Sequence, residues 1–418
     1  MFEINKINNL IAKIFITFII LIFILTNIGQ KLLNKFKYGN NNPKFESQDE
    51  YTNNQTLIKK INEYVSLCRN GTLINPIINL WNQNPKISVI IPVFNASKTI
   101  KPAIRSIQNQ NMIEYEILLV DDFSSDNSLE IINKMMLEDK RIRLIKNKEN
   151  KGILYSRSIG ALNARGRYIM ALDNDDLFLY GIFTKSYEEA KRNNLDIIEF
   201  SGFEILHDGY VDANKITIPI FLRYKEDNVV VKQPELSKFF YVKKNNTYSY
   251  DFKDVFVWGK LIKRKIYWKA LRVLGKKVIN YKVFLTEDKI FTIALFRVAK
   301  SFKFIGKYGI IRNWNPNSIC NSWIEKKRER ILTDFLLFAI VFYNLNKDTE
   351  EIRILVEDLK IRFEEYNLVL RGEKRLLLME LCDNMIKNKN ILLSEKKILI
   401  NLMNNNKNNQ TNEIQYPM

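Results

Sequence analysis

The stretch YIMALDNDDLF, residues 168–178, passes from apolar residues into three aspartates within four positions, Asp173, Asp175 and Asp176. Carboxylates this close repel one another by roughly 1 kcal/mol per pair in water, and more in a low-dielectric cleft. A second cluster, Asp121 and Asp122, closes the apolar run of ILLVDDFSSD. In extended backbone, residues two apart point the same way, about 6.6 Å apart along the chain. Asp173 and Asp175 can therefore face one ligand while Asn174 faces elsewhere. A divalent cation removes the repulsion, and Mg²⁺ is typically held by one or two carboxylates plus substrate phosphates. The chemistry that fits is the handling of a diphosphate. Bare carboxylates turn the anion away, whereas a metal between them binds it and neutralises charge on a departing diphosphate.

Taken singly, each acid has a plainer reading. Asp176 fits an N-cap for a helix near 179–193, and Asp122 and Ser124 fit turn and cap positions. Two clusters at the ends of strands of one sheet are harder to explain that way. A phosphatase of the haloacid dehalogenase type also places Asp-x-Asp after a strand, but it uses its first strand and a small hydroxylated or β-branched residue where Leu177 stands. A dinucleotide fold wants G-x-G-x-x-G after the first strand, and a P-loop wants G-K-[ST]; here the first strand runs into PVFNAS.

The elements that must position these acids follow from periodicity. KISVIIPVF (86–94), YEILLV (115–120), IRLIK (142–146), RYIMAL (167–172) and LDIIEF (195–200) read as buried strands. Residues 97–110 carry Ile100, Ala103, Ile104 and Ile107 at helical spacing. SDNSLEIINKMMLEDK opens with helix-start residues, and 152–166 reads as a helix closed by Gly166. Strand and helix alternate with short turns, which predicts an α/β fold with a mostly parallel, helix-covered sheet. Ligands bind such a sheet at the carboxyl ends of its strands, where both acid clusters fall.

Composition narrows the partners. The 418 residues are 46% hydrophobic and carry a net charge of +19. The basic residues are spread along the chain with no nucleic-acid motif, so anionic small molecules and a membrane surface are expected rather than nucleic acid. Three distant cysteines give neither a disulfide framework nor a zinc spacing. His207, the sole histidine, leaves catalysis to carboxylates.

The motifs ISVIIPVFNAS, EILLVDDFSSDNS and NKENKGILYSRSIGALNARGRYIMALDNDD resemble, in order and spacing, the family 2 glycosyltransferases of GT-A fold. The likeness continues in VWGKLIKRKIY, FLTEDKIFTIAL and YGIIRNWNPNSI, and covers about residues 86–320. It implies a Rossmann-like sheet and a metal-dependent (Mg²⁺ or Mn²⁺), inverting transfer of a sugar from a nucleotide diphosphate, UDP by family usage. The acceptor is left open among glycan, lipid and protein. Carried over by position, Asp122 contacts the nucleoside, Pro92 and Phe94 shape the first nucleotide loop, and Asp173 and Asp175 form the Asp-x-Asp with Asp175 on the metal. Asp288 in TED is the general base. Trp258 and Glu287, with Lys260 and Arg264, lie toward the acceptor, and Lys151 and Arg157 meet the diphosphate.

Each of these has a structural alternative. TED also reads as a helix start capped by Thr286, Trp258 as a packed side chain, and Lys151 and Arg157 as a solvated helix face. Phe123 stands where the family often has Gly, and Ser158 where it often has Asn. The Gln-x-x-Arg-Trp motif of processive members is missing, which points to transfer of a single sugar.

Outside the catalytic region (86–320), Ile14–Leu25 is uninterrupted apolar sequence. Extended over 10–28 it reaches about 28 Å as a helix, close to the roughly 30 Å of a bilayer core. It is expected to be a single-pass anchor that leaves the side of the membrane open, preceded by a tail (1–9) and followed by a polar stem (29–85) with a helix near 55–69. Residues 321–405 are expected to form a helical appendage, and 406–418 a disordered tail.

Overall fold

The computed structural model describes residues 63–70, 84–206, 256–283, 286–314, 328–345, most of 352–360, 372–388 and 391–408, with short strands between 216 and 250. The expected anchor at 10–28, most of the stem and the tail beyond 408 lie outside the described residues. Among the described residues, no helix is long and apolar enough to cross a membrane.

Four strands, β1 (Ile87–Val93), β2 (Tyr115–Asp121), β3 (Ile142–Lys146) and β4 (Tyr168–Ala171), lie parallel in the order β3-β2-β1-β4. Their apolar runs are continuous because both faces of the sheet are covered. Val89, Ile91, Ile117 and Leu119 point to one side, against α2 (Ile100–Gln108), α3 (Ser128–Glu138) and α5 (Ile182–Arg192). Ile90, Leu118 and Val120 point to the other, against α4 (Ile153–Asn163). This is the period-two division of a strand between two faces. Helix α4 lies very close on β1: a Cβ added at Gly160 would stand 2.5 Å from Ile90 Cγ2. Only a residue without a side chain permits that approach.

The rest of the sheet departs from the expected parallel order. Strands β6 (Ile197–Leu206) and β12 (Ser301–Trp314) are parallel to each other. Strand β11 (Lys260–Lys263) is inserted antiparallel between β4 and β6, and β5 (Leu177–Phe178) pairs antiparallel with β12. The sheet is mixed, running β3-β2-β1-β4-β11-β6-β12-β5. Strands β7 (Ile216–Ile220) and β8 (Val230–Lys232) pair with β6 and β12, and β9 (Tyr241–Lys244) and β10 (Thr247–Tyr250) form a hairpin. Among the described residues between 201 and 256, strand follows strand, and strands that follow strands need no right-handed crossover to pair.

Helices α6 (Arg264–Ile279) and α7 (Glu287–Val298) cover the α4 face, and Phe335, Leu336 and Phe338 of α8 (Arg328–Leu345) enter the same core. Leu378, Leu381 and Cys382 of α9 (Gly372–Lys387) join it, as do Leu399 and Leu402 of α10 (Leu393–Asn408). The C-terminal helices thus buttress α7 rather than forming a core of their own. At the other edge, the short helix α1 (63–69) packs Tyr64, Val65 and Cys68 against Leu177 and Leu179. The Tyr64 hydroxyl donates to the Phe178 carbonyl at 2.8 Å. Part of the expected stem is therefore fastened to the fold beside the Asp-rich segment.

Lys260 and Glu199 are opposite one another across β11 and β6, and both side chains are fully buried in an ion pair. The Lys260 ammonium also donates to the Phe256 carbonyl at 2.6 Å. Lys260 therefore sits inside the sheet, not on an acceptor surface. Removing one member strands a charge in a low-dielectric interior. Lys260→Met is expected to cost about 3–5 kcal/mol in urea unfolding, and the double change Lys260→Met, Glu199→Leu substantially less.

Candidate active site

The segment after β4 forms a tight turn in which the Asp176 N–H donates to the Asp173 carbonyl at 3.1 Å. Two asparagines hold it. The Asn174 amide donates to the Pro92 carbonyl at 3.1 Å, tying the turn to the end of β1, and the Thr99 hydroxyl donates to the Asn174 Oδ1. From β12, the Asn313 N–H donates to Asp176 Oδ1 at 2.9 Å, and the Asn313 amide donates to the Asp175 carbonyl. Asp176 caps no helix: α5 begins at Ile182 after Gly181. It is a buried pin between β12 and the turn. With Asp175 carried on that rigid turn, burial and the neighbouring Asp173 push the Asp175 carboxyl up to about 6.

At the end of β2, the Asp122 carboxylate is spent on the chain itself. It accepts from the Lys151 N–H at 2.8 Å, the Gly152 N–H at 2.7 Å and the Asn147 amide at 2.8 Å. These bonds hold the loop that enters α4, where Gly152 takes φ +90°. Asp122 therefore lies just past the carboxyl end of β2, where it anchors the entrance of α4. Asp121 similarly accepts from the Ser124 N–H at 3.3 Å.

Helix α4 delivers Arg157 into the cleft. Its Nη2 donates to Asp173 at 2.6 Å and its Nη1 to Asp288. The side chain is only 3% exposed, against 30% for Asp173 and 17% for Asp288. It is neither a solvated helix residue nor open to a diphosphate through those two nitrogens. Burial works against its charge, but the carboxylates of Asp288, Asp173 and Glu287 more than offset that and raise its pKa.

Asp288 sits in the first turn of α7. Burial raises its pKa, Arg157 opposes the rise, and Asp173 adds to it; the Val257 N–H also donates to the carboxylate. Thr286 precedes the helix without capping it, because its hydroxyl donates instead to the Asp334 carbonyl of α8 at 3.1 Å. Glu287 turns inward beside Asp288, with Oε2 buried and unpartnered. Burial first, then the Asp288 charge, push the Glu287 carboxyl up to about 8.

The other expected contacts divide. Pro92 contributes its carbonyl to the turn, and Phe94 is half exposed just beyond β1. Phe123 is exposed and holds φ +70°, a left-handed conformation that costs a side-chain-bearing residue about 1–2 kcal/mol. Trp258 is 2% exposed and stacks on Phe256 with centroids 4.7 Å apart, so it is a packed residue and not an acceptor platform. Arg264 donates to the Ala164 carbonyl and lies over Trp268. Lys151 pairs with Glu149. Asn147, Asn174 and Asn313 were not foreseen; an isolated Asn carries no spacing signal, and only the fold reveals what it ties.

Among the described residues, no group of three or more His, Cys, Asp and Glu side chains is drawn together for a metal. The two carboxylates of Asp173 and Asp175 fit a divalent cation that takes its other ligands from substrate phosphates and water. Burial first, and then the neighbouring Asp173, raise the Asp175 carboxyl, and a cation held there would favour its charged form.

Known proteins resemble this chain in sequence and in fold. Residues 88–271 match the family described as Glycosyl transferase family 2. The chain is 28% identical over 246 residues to an uncharacterized glycosyltransferase, EpsJ, of Bacillus subtilis, covering 59% of this chain and 66% of that protein. It is 28% identical over 131 residues to the Escherichia coli UDP-Glc:alpha-D-GlcNAc-diphosphoundecaprenol beta-1,3-glucosyltransferase WfgD, covering 31% of this chain and 50% of that one. The chain thus spans about half to two thirds of the length of these curated relatives. The crystal structure of S. aureus TarS 1-349 in complex with UDP-GlcNAc superposes with a TM-score of 0.52 at 16% identity, covering 79% of this chain and 93% of that one. At that identity the likeness concerns the fold, a mixed α/β sheet with flanking helices of GT-A type.

The Glu287 carboxyl generates a pH prediction. Its folded pKa of about 8 stands above the ordinary 4.5, so between these values the folded chain holds a proton that the unfolded chain releases. Stability therefore falls as pH rises through this window. Glu287→Gln, which cannot titrate, is expected to melt about 2–5 °C above the parent at pH 8, with the gain shrinking toward pH 5.

Proposed function

We propose, from the match of residues 88–271 to the family described as Glycosyl transferase family 2, that the chain transfers a single sugar from a nucleotide diphosphate donor to an acceptor hydroxyl, with inversion at the anomeric carbon. The observation that carries this reading is one guanidinium joining Asp173, beside the Asp-x-Asp, to Asp288. It supports a reading in which Asp173 serves the diphosphate side and Asp288 takes the acceptor proton close by. The comparison with a UDP-GlcNAc complex supports a uridine diphosphate sugar as donor.

In the reaction, the acceptor oxygen attacks the anomeric carbon from the side opposite the diphosphate. The bond from that carbon to the diphosphate oxygen breaks, and its electron pair leaves with the diphosphate. The acceptor proton passes to the Asp288 carboxylate. Burial raises the Asp288 pKa, which makes it a stronger base than a solvated aspartate, and Arg157 opposes that rise. A divalent cation, Mg²⁺ or Mn²⁺, held by Asp175 and Asp173 would neutralise the charge on the leaving diphosphate, so no second protein acid is needed. This differs from the two-carboxylate scheme of most glycosidases.

The Asp122-anchored loop and the exposed Phe94 and Phe123 flank the nucleotide end of the cleft. The missing Gln-x-x-Arg-Trp motif supports one transfer per encounter. The apolar run Ile14–Leu25 supports work at a membrane, with a glycan, lipid or protein as acceptor.

The test incubates the chain with a panel of nucleotide sugars in Mn²⁺ or Mg²⁺ and follows nucleotide diphosphate release. Turnover is expected with at least one donor, to be lost on chelation. Asp288→Asn and Asp175→Ala are each expected to lower kcat by about 100-fold or more. Turnover that survives chelation, or that ignores both substitutions, would sink the mechanism. Binding of nucleotide sugar with no turnover would mark a non-catalytic relative.

A further inference from the structure

Arg157 is more deeply buried than either carboxylate it touches, and it joins the turn after β4 to the first turn of α7. Resting on the function proposed above, we propose that Arg157 is a positioning residue, a strut that fixes the distance and direction between the diphosphate-side carboxylate Asp173 and the proton-accepting carboxylate Asp288. The donor and acceptor ends of the cleft are otherwise held by separate parts of the fold. The turn bearing Asp173 hangs from β1 through Asn174 and from β12 through Asn313. Helix α7 is set by its packing on α8 and by Thr286. Without a tie, the two carboxylates would drift with their own supports, and like charge would drive them apart.

The guanidinium suits this task because it is planar and offers two separate nitrogens, one per carboxylate. An ammonium is a point charge and satisfies one carboxylate well. The strut is itself aimed by the backbone. Gly160 lets α4 lie against β1, and the Asp122 carboxylate clamps the Lys151 and Gly152 N–H groups at the helix entrance. A group at the nucleotide end thereby sets the helix that sets the base.

Two measurements test the strut. In the first, Arg157→Lys keeps the charge and loses the second nitrogen. Its kcat is expected to fall by about 100-fold while the donor KM changes by less than about threefold, the loss of geometry at the reacting atoms. Arg157→Ala is expected to be slower still and to recover part of its kcat with added guanidinium ion. A raised donor KM with kcat intact would make Arg157 a donor contact and overturn the proposal. Unchanged kcat per folded molecule alongside a lowered Tm would make it merely structural, with the same consequence.

The second measurement uses urea unfolding cycles of Arg157→Lys with Asp173→Asn and, separately, with Asp288→Asn. Both cycles are expected to be non-additive, because one side chain is partnered by both carboxylates. Additivity in either would show that only one end is held and would overturn the strut. The cycles need no turnover. If the chain turned over no nucleotide sugar, the proposed function would fall while the cycles still decided the strut.

Discussion

One guanidinium between two carboxylates organises this molecule. Asp173 arrives at the end of β4 and Asp288 at the start of α7, more than a hundred residues later, and Arg157 of α4 stands between them. A buried cation flanked by two carboxylates is tolerable only because each charge finds a partner at hydrogen-bond distance. Beside them, burial first and then the Asp288 charge raise the Glu287 carboxyl, against the opposing pull of Arg157.

Around that cluster, the fold consists of devices that bring sheet edge and helix ends together. Parallel strands bring the ends of β1, β2 and β4 to one edge. The inserted β11 carries the chain back across the sheet, and its Lys260–Glu199 pair marks where it crosses. The turn that holds the aspartates depends on two asparagines reaching from opposite sides, one through the β1 carbonyl and one from β12. The C-terminal helices share the core beneath α7, so the helix bearing Asp288 is supported by sequence far beyond the family-like region.

Aspartates spaced this closely carry an electrostatic cost that a binding function must offset. In the turn, Asp176 is committed to the backbone of β12 and Asp173 to Arg157, which leaves Asp175 the member whose side chain answers to no protein cation at hydrogen-bond distance among the described contacts. Its raised carboxyl is the electrostatic residue of that arrangement. A divalent cation with a diphosphate is a chemically economical way to relieve it.

The sequence alone determined the strand–helix alternation from 86 to 200, because apolar periodicity is a local property that survives without knowledge of the fold. Acids at the ends of apolar runs picked out Asp121, Asp122, Asp173 and Asp175 by type and spacing, whereas Asp288 came from the resemblance to family 2 glycosyltransferases. Tertiary structure alone decided the mixed order of the sheet, since the partner of β11 depends on segments without clear periodicity. It moved Trp258 and Lys260 from the acceptor side into the interior, and Asp122 and Arg157 from the donor to the protein's own groups. It also gave Asn174 and Asn313 their roles. The physical reason is common to all of these. A side chain's type and spacing say what chemistry it can do, but a long Arg, Lys or Asn meets its partner across the fold, and which partner it meets is fixed only when strands and helices from distant parts of the chain are packed together.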